Sequence, residues 1–297
     1  MIHYSQCPVC KNASIKYIFS AKDHTVSQKD FPIWYCYDCE VMFTQDVPAQ
    51  DAIGSYYASE NYISHSDTQE GLINKIYHRI RKRTLLSKMR LIKSETGKTV
   101  GNILDVGCGT GAFLNTMKEN GWAATGLEPD ETARARAETL YGIKALPSDK
   151  IFELSMNAFD AITMWHVLEH VHQLHEYVDQ LKKILTEKGR LFIAVPNYTS
   201  YDAKAYKENW AAYDVPRHLY HFSPKSMKQL MAMHGLTVKQ EKPMWFDSFY
   251  VSMLSEQYKN GEGNITGAFF KGLLSNMKTL FNKEKCSSVI YIISKST

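Results

Sequence analysis

A glycine-rich run at residues 103–111, ILDVGCGTG, constrains the fold of this chain more than any other feature. A short apolar strand leads into three glycines, and the helical pattern AFLNTMKENG follows directly. Glycine lets the backbone turn tightly and approach a ligand, and the N–H groups that begin a helix attract a negatively charged group. The spacing is G-x-G-x-G, unlike the G-x-G-x-x-G of dinucleotide-binding loops. The run therefore predicts a strand–loop–helix unit that binds a carboxylate of a ligand.

The residues after Gly101 alternate between apolar, strand-like segments and segments with helical spacing. The predicted strands are NILDV, ATGLEP, IKAL, FDAITM, GRLFIAVPN, LTVKQEKPM and SSVIYIISK. This alternation predicts an α/β fold, a Rossmann-like parallel sheet with helices on both faces. We interpret residues 101–297 as one domain. Its segment at about 245–286 has helical spacing, and we expect a helical insertion that contributes to a substrate pocket.

Two carboxylates flank the predicted loop. Asp105 ends the first strand and can bind an ammonium group, which nicotinamide cofactors lack. Glu128 ends the second strand in GLEPD, where the ribose hydroxyls of a nucleoside would lie. Cys108, inside the loop, is expected to be a small apolar filler rather than a nucleophile.

Together, DVGCGTG, GLEPD and FDAITMWHVLEHV resemble the class I S-adenosylmethionine-dependent methyltransferases, over about residues 101–296. The resemblance implies that the glycine loop holds the methionine part of the cofactor and that Glu128 holds the ribose. It also implies that residues after the third and fourth strands flank the adenine and methionine portions. The cofactor-binding residues predicted in this way are Asp105, Gly107, Cys108, Gly109, Gly111, Glu128, Ser148 or Asp149, Trp165 and His166. A purely structural turn and a nucleotide-binding oxidoreductase are the alternatives.

Four of the six cysteines form two Cys-x-x-Cys pairs, CPVC and CYDC, separated by 25 residues. No signal-peptide pattern precedes them, so we expect a cytoplasmic protein in which a disulfide framework is disfavoured. Four thiolates suit tetrahedral zinc, and such a closed shell is structural rather than catalytic. Residues 1–46 are therefore predicted to form a zinc ribbon. Its ligands would be Cys7, Cys10, Cys36 and Cys39, with free thiols or a redox pair as the alternatives.

The segment DVPRHLYHFSP at 214–224 follows the fifth predicted strand, on the side where ligands bind in open α/β sheets. It resembles the P-R-H-x-x-x-F-S segment of a methyltransferase branch related to the ubiquinone-pathway O-methyltransferases. Histidine can remove a proton from an acceptor near neutral pH, so His218 and His221 are the predicted catalytic residues. The alternative is that both histidines anchor the loop. The combination with cysteine pairs also resembles zinc-ribbon methyltransferases, including deoxysugar C-methyltransferases.

Residues 47–100 are predicted to form a helical lid or linker. The aromatic run YYASENYISH precedes a basic segment with helical spacing, whose charges are expected to face solvent. Tyr57, Tyr62 and His65 are predicted to cover the cofactor, because aromatic rings attract a sulfonium. Ordinary packing at a domain junction is the alternative. His170, His172 and His175 are more typical of a solvated helix start than of a metal site.

The net charge of +4 is too small to indicate a nucleic-acid partner by itself, and no window is apolar enough to span a membrane.

The resemblance predicts methyl transfer from S-adenosylmethionine to a small-molecule acceptor. We expect the methyl group to be transferred to oxygen, with sugars or glycan precursors as one acceptor class. The alternatives are C- or N-methylation of a nucleotide-linked sugar, and an RNA or protein methyltransferase that uses the zinc ribbon as an adaptor. A catalytically inactive cofactor-binding module is a further alternative, and the oligomeric state stays open.

Overall fold

The computed structural model of this protein describes residues 1–57, 72–245, 247–261 and 265–296. The strands are β1 Ile15–Lys22, β2 Asp30–Cys36, β3 Met42–Thr44, β4 Asn102–Val106, β5 Ala123–Leu127, β6 Phe159–Trp165, β7 Leu185–Pro196, β8 Tyr220–His221, β9 Leu236–Pro243 and β10 Ser288–Lys295. The α-helices are α1 Leu72–Thr96, α2 Ala112–Glu119, α3 Glu131–Tyr141, α4 Leu174–Ile184, α5 Tyr201–Tyr206, α6 Pro224–Met233, α7 Asp247–Asn260 and α8 Ile265–Phe281.

The chain divides into two compact units. Among the described residues, unit 1 contains 1–57, 166–177, 194–245, 247–261 and 265–291, and unit 2 contains 72–165, 178–193 and 292–296. None of the described helices is long and apolar enough to cross a lipid bilayer.

A six-stranded sheet has the order β5-β4-β6-β7-β10-β9. Strand β4 pairs in parallel with β5 on one side and with β6 on the other. The predicted α/β fold is confirmed. The predicted strand IKAL is reduced to a single parallel bridge between Leu127 and Leu146, because a 3-10 helix begins at Ser148 and the Glu128 carbonyl accepts from Arg134 instead.

The core of unit 2 packs β4 and β6 against α1 and α2, with Ile92, Ile103 and Leu114 fully buried. Gly126 makes this packing possible on β5. A Cβ atom there would lie 2.7 Å from both Cys108 Sγ and Leu114 Cδ1. Cys108 thus fills space next to a glycine, and burial raises the pKa of its thiol to about 12.

Unit 1 contains a second sheet, antiparallel, in the order β1-β2-β3-β8. The last strand comes from the 214–224 segment, since Met42 pairs with His221 and Phe43 pairs with Tyr220. No motif in the sequence predicts this pairing between the N-terminal segment and a loop far along the chain. A cluster of buried residues that includes Phe31, Ile33 and Trp210 packs within the same unit.

Candidate cofactor and metal sites

In unit 2, the glycine loop turns sharply between β4 and α2. Gly107, Gly109 and Gly111 have φ of 70°, 53° and 78°, a left-handed conformation that favours glycine. A Cβ atom on Gly109 would meet no described atom within 4 Å, whereas one on Gly111 would lie 3.1 Å from Ala137 Cβ. The loop therefore leaves open space at its middle glycine and is packed at its end.

Glu128 lies at the end of β5 and connects this loop to α3. Its carboxylate accepts hydrogen bonds from the N–H of Gly109 at 2.8 Å and from the N–H of Asp130 at 3.0 Å. The side chain is largely buried, and burial raises its pKa. The carboxylate is therefore oriented by the backbone beside the open space at Gly109.

Asp105 is almost completely buried at the end of β4. It accepts a hydrogen bond of 2.5 Å from the hydroxyl of Thr163 on β6. Burial raises its pKa to about 7, while the Thr163 hydrogen bond and the charge of Lys88 oppose the shift. A ligand ammonium group could neutralise this buried carboxylate. Lys88 and Thr163 had no signal in the sequence that linked them to this site.

Trp165 and Asp149 complete the predicted cofactor residues of unit 2. The Trp165 ring is 5.8 Å from Phe113, edge to face, and Lys88 Nζ lies 4.0 Å from its centroid. Its buried Nε1 finds no hydrogen-bond partner among the described residues. Ser148 and Asp149 begin a 3-10 helix, Ser148–Glu153, and Asp149 is exposed.

In unit 1, the four paired cysteines come together. Their Sγ atoms all lie within 4.8 Å of one another, with 3.6 Å between Cys7 and Cys39 and 3.5 Å between Cys10 and Cys36. Zinc–sulfur bonds of about 2.3 Å put tetrahedral ligands about 3.8 Å apart, so the separations fit zinc. A hydrogen bond between Cys7 and Cys39 lowers the pKa of Cys7 and raises that of Cys39.

The two knuckles have the same backbone geometry. Lys11 and Glu40 follow the second cysteine of each pair and have left-handed φ of 62° and 58°. Their N–H groups donate to the carbonyls of Cys7 and Cys36, at 2.9 and 3.0 Å. This repeated turn places the two cysteine pairs of one cluster in equivalent ways, and the cluster is compatible with a zinc ribbon.

The predicted catalytic histidines lie in the loop that ends in β8. His221 is buried, its Nε2 is 3.1 Å from Thr44 Oγ1, and burial together with His218 lowers its pKa well below the usual value. His218 places Nδ1 2.8 Å from the carbonyl oxygen of Ala212. The adjacent Arg217 donates to both carboxylate oxygens of Asp214, and so holds the loop in place.

His218 also belongs to a cluster of histidine and glutamate side chains that no sequence motif indicates. Ligand atoms of Glu169, His170 and His218 lie within 4.8 Å of one another. Nδ1 of His170 is 3.0 Å from the carbonyl oxygen of Arg217, and burial together with His218 lowers its pKa to about 4. Glu169 is fully buried, and neither of its carboxylate oxygens accepts a hydrogen bond from another described residue. In the sequence, HVLEHV brings Glu169 and His170 together, but this spacing is also typical of a solvated helix start.

His166, a predicted cofactor residue, belongs to unit 1. It has φ of 57°, a left-handed conformation that is uncommon outside glycine. Its Nε2 is 2.8 Å from Asp247 Oδ2, and its Nδ1 is 3.5 Å from Glu169 Oε1. Burial alone would lower its pKa, but the two carboxylates raise it to about 10.

The predicted aromatic lid is described only in part. Tyr57 ends a 3-10 helix, Ile53–Tyr57, and its hydroxyl lies 3.0 Å from His170 Nδ1 within unit 1. Tyr62 and His65 lie outside the described residues.

The fold is that of the class I methyltransferases. Residues 77–241, more than half of the chain, match the family of methyltransferase domains, and the chain belongs to that family. The ubiquinone biosynthesis O-methyltransferase of Glaesserella parasuis serovar 5 (strain SH0165) is 32% identical over 136 residues, which cover 41% of this chain and 56% of the relative. The human mitochondrial ubiquinone biosynthesis O-methyltransferase is 26% identical over 163 residues, covering 50% and 44% respectively.

The chain thus matches about half the length of these curated relatives. Among solved structures, a mycolic acid cyclopropane synthase is similar, with a TM-score of 0.50 and 14% identity, and the match covers 71% of this chain and 84% of that one. At this identity the likeness shows the fold alone. The prediction of a class I methyltransferase is confirmed by the family match and by the fold.

Proposed function

We propose that this protein transfers a methyl group from S-adenosylmethionine to an oxygen atom of a small-molecule acceptor. The observation that carries the proposal is the Glu128 carboxylate, which the Gly109 N–H holds beside open space in the glycine loop. That carboxylate suits ribose hydroxyls, and the buried Asp105 suits the ammonium of the methionine part. The family match and the O-methyltransferase relatives support the same reaction.

Calorimetry with S-adenosylhomocysteine tests the cofactor. We expect binding in the micromolar range, on the order of −7 to −8 kcal/mol, and no comparable binding of NAD. Glu128→Gln removes the charge that would face the ribose and should weaken binding by roughly 10- to 100-fold. Glu138→Gln is the matched control, because Glu138 is an exposed carboxylate of α3 that pairs with Lys144 at 3.7 Å. Binding of NAD alone would overturn the cofactor assignment.

The reaction itself needs little chemistry from the chain, because the sulfonium of the cofactor activates the methyl group. The protein positions the acceptor and removes its proton where the acceptor is a hydroxyl. Of the two predicted histidines, we favour His218 for proton removal, because it lies beside the buried Glu169 carboxylate. His221 is better suited to a structural role, since it pairs with β3 and contacts Thr44.

A divalent cation at Glu169, His170 and His218 is a second candidate for activating the acceptor. Each histidine directs Nδ1 to a backbone carbonyl, the arrangement that orients metal-bound imidazoles through their other nitrogen. The lowered pKa of His170 keeps its ring neutral, as a ligand must be. A bound cation would lower the pKa of an acceptor hydroxyl.

Turnover with and without metal separates the two roles. The acceptor screen should include phenols, nucleotide-linked sugars, RNA and peptides, with S-adenosylhomocysteine release as the readout. If His218 acts without metal, turnover should persist after treatment with EDTA. If the cluster holds a cation, EDTA should abolish turnover and Mg²⁺ or Mn²⁺ should restore it in wild type but not in Glu169→Gln. Methylation of RNA or peptides alone would refute the small-molecule assignment.

We also propose that Cys7, Cys10, Cys36 and Cys39 bind one structural zinc ion. The four sulfur atoms would fill the tetrahedral shell and leave no open position for chemistry. Zinc would then add its binding free energy to the stability of the N-terminal strands.

A further inference from the structure

Helices α7 and α8 are reversed in polarity compared with an ordinary surface helix pair. Among the described side chains, the fully buried ones are small or polar, namely Ser248, Ser252, Ser255 and Glu256 on α7 and Gly272, Ser275 and Thr279 on α8. The exposed ones include the polar Gln257, Lys259, Asn260 and Lys278, and a set of large apolar residues, namely Tyr250 and Met253 on α7 and Phe270, Leu273, Leu274, Met277, Leu280 and Phe281 on α8. We call this apolar set the outer face.

Hydrogen bonds on the inner side fix the rotation of both helices. Ser275 donates to Asp202 at 2.8 Å, and Ser248 donates to Asn276 at 2.9 Å. Ser255 accepts from the N–H of Ala211 at 2.9 Å. Turning either helix to bury its apolar side would break these bonds, so the outer face is a consequence of specific packing.

The apolar side chains of α8 form one continuous stripe. Their spacing of three, four and seven residues places them on one side of a helix. Phe281 is 91% exposed, Leu280 70% and Phe270 63%. Proteins that stay monomeric in water rarely expose such a contiguous apolar surface, so the stripe indicates that another apolar phase covers it.

The charged side chains described in α7, α8 and the following turn are mostly basic, and one of them, Lys278, has its Nζ 4.1 Å from the centroid of the Tyr201 ring. The acidic residues described in α7, α8 and the following turn each pair with a basic side chain. Asp247 lies 2.8 Å from His166, Glu256 lies 2.6 Å from Lys271, and Glu284 lies 3.2 Å from Lys228. Lys259, Lys278, Lys283 and Lys285 lie in the same elements. A second copy packed on this face would bring lysines towards lysines, whereas anionic lipid headgroups would neutralise them.

We propose that the outer face of α7 and α8 docks on the surface of an anionic lipid bilayer. The apolar stripe would enter the boundary between headgroups and acyl chains, and the lysines would contact the headgroups. The helices would lie in the plane of the membrane, as for other amphipathic surface helices.

Vesicle flotation with the full chain tests this docking. Wild type should float with vesicles of phosphatidylcholine and phosphatidylglycerol, less with phosphatidylcholine alone, and less at high salt. The double variant Leu280→Gln, Phe281→Gln should lose partitioning by on the order of tenfold or more, because two large side chains no longer enter the lipid. The matched control Tyr17→Gln, Ile18→Gln removes two exposed apolar side chains of β1 and should float like wild type.

Binding of S-adenosylhomocysteine, measured without vesicles, should be the same for both double variants and wild type, which shows that they are folded. Failure of wild type to float with anionic vesicles would overturn the proposal. So would equal flotation of the Leu280→Gln, Phe281→Gln variant. A stable dimer in light scattering that this variant dissolves, without any vesicle binding, would assign the outer face to a second copy instead.

Discussion

Replacing Gly109 with alanine should separate the stability of the glycine loop from its ability to bind the cofactor. Gly109 has φ of 53°, so alanine there should lower the free energy of unfolding by about 1–2 kcal/mol. The added Cβ meets no described atom within 4 Å and causes no clash in the protein itself. In the proposed function, however, the cofactor occupies this space. A misplaced methyl group costs about 1–3 kcal/mol, which corresponds to a roughly 5- to 150-fold weaker affinity for S-adenosylhomocysteine.

Gly97 offers a matched control for this substitution. It follows α1, has φ of 66°, and its Cβ would also meet nothing within 4 Å. Gly97→Ala should therefore cost a similar free energy of unfolding and leave cofactor affinity unchanged. Urea unfolding would measure the first quantity and calorimetry the second.

Two results would refute this reasoning. If Gly109→Ala bound S-adenosylhomocysteine as tightly as wild type, the open space at the loop would not be the cofactor site. If both alanine variants lost affinity in proportion to their loss of stability, the effect would be one of folding rather than of contact with the cofactor.

Three further predictions concern the metal and the titrating groups. Cys36→Ser should lose most of the zinc measured by elemental analysis, whereas Cys286→Ser, at a buried cysteine outside the cluster, should keep it. The His166 pKa of about 10 lies above its unfolded value of about 6.5, so the stability from its pairing is full below pH 6.5 and is lost as the pH rises towards 10. Urea unfolding at several pH values should show this decline in wild type, and a smaller one in Asp247→Asn. Because the pKa of Asp105 is about 7, calorimetry should show S-adenosylhomocysteine binding roughly tenfold more tightly at pH 8 than at pH 6, and Asp105→Asn should show no such rise.

The parts of the cofactor site that could be predicted from sequence are local. Asp105 and Glu128 each end a strand, and the strand ends of a parallel sheet meet at one edge, so a strand–glycine–helix pattern is enough to locate them. The supporting contacts of Thr163 and Lys88 could not be located in this way. They depend on which strand pairs beside β4 and on how α1 packs, and neither leaves a motif.

The histidine and carboxylate cluster of unit 1 was not predictable for a similar reason. Glu169 and His218 come from segments far apart in sequence, and Asp247 lies in a helix whose pattern indicates only packing. A histidine near the start of a helix is usually solvated, and only the fold shows that His170 is enclosed. The position of His166 beside two carboxylates likewise follows from tertiary packing rather than from its neighbours in the chain.

The N-terminal strands and the 214–224 loop stabilise one another, and this gives the proposed zinc ion an indirect influence on the loop. Strand β3 pairs with β8, and Thr44 donates a hydrogen bond of 2.6 Å to the carbonyl of His218. Arg217, from the same loop, lies 3.5 Å from Asp23, a carboxylate that five N–H and O–H groups of its own turn also hold. Any free energy that zinc contributes to the N-terminal strands is therefore shared with the backbone that carries His218. A structural metal would in this way help to fix the group that we propose removes the acceptor proton.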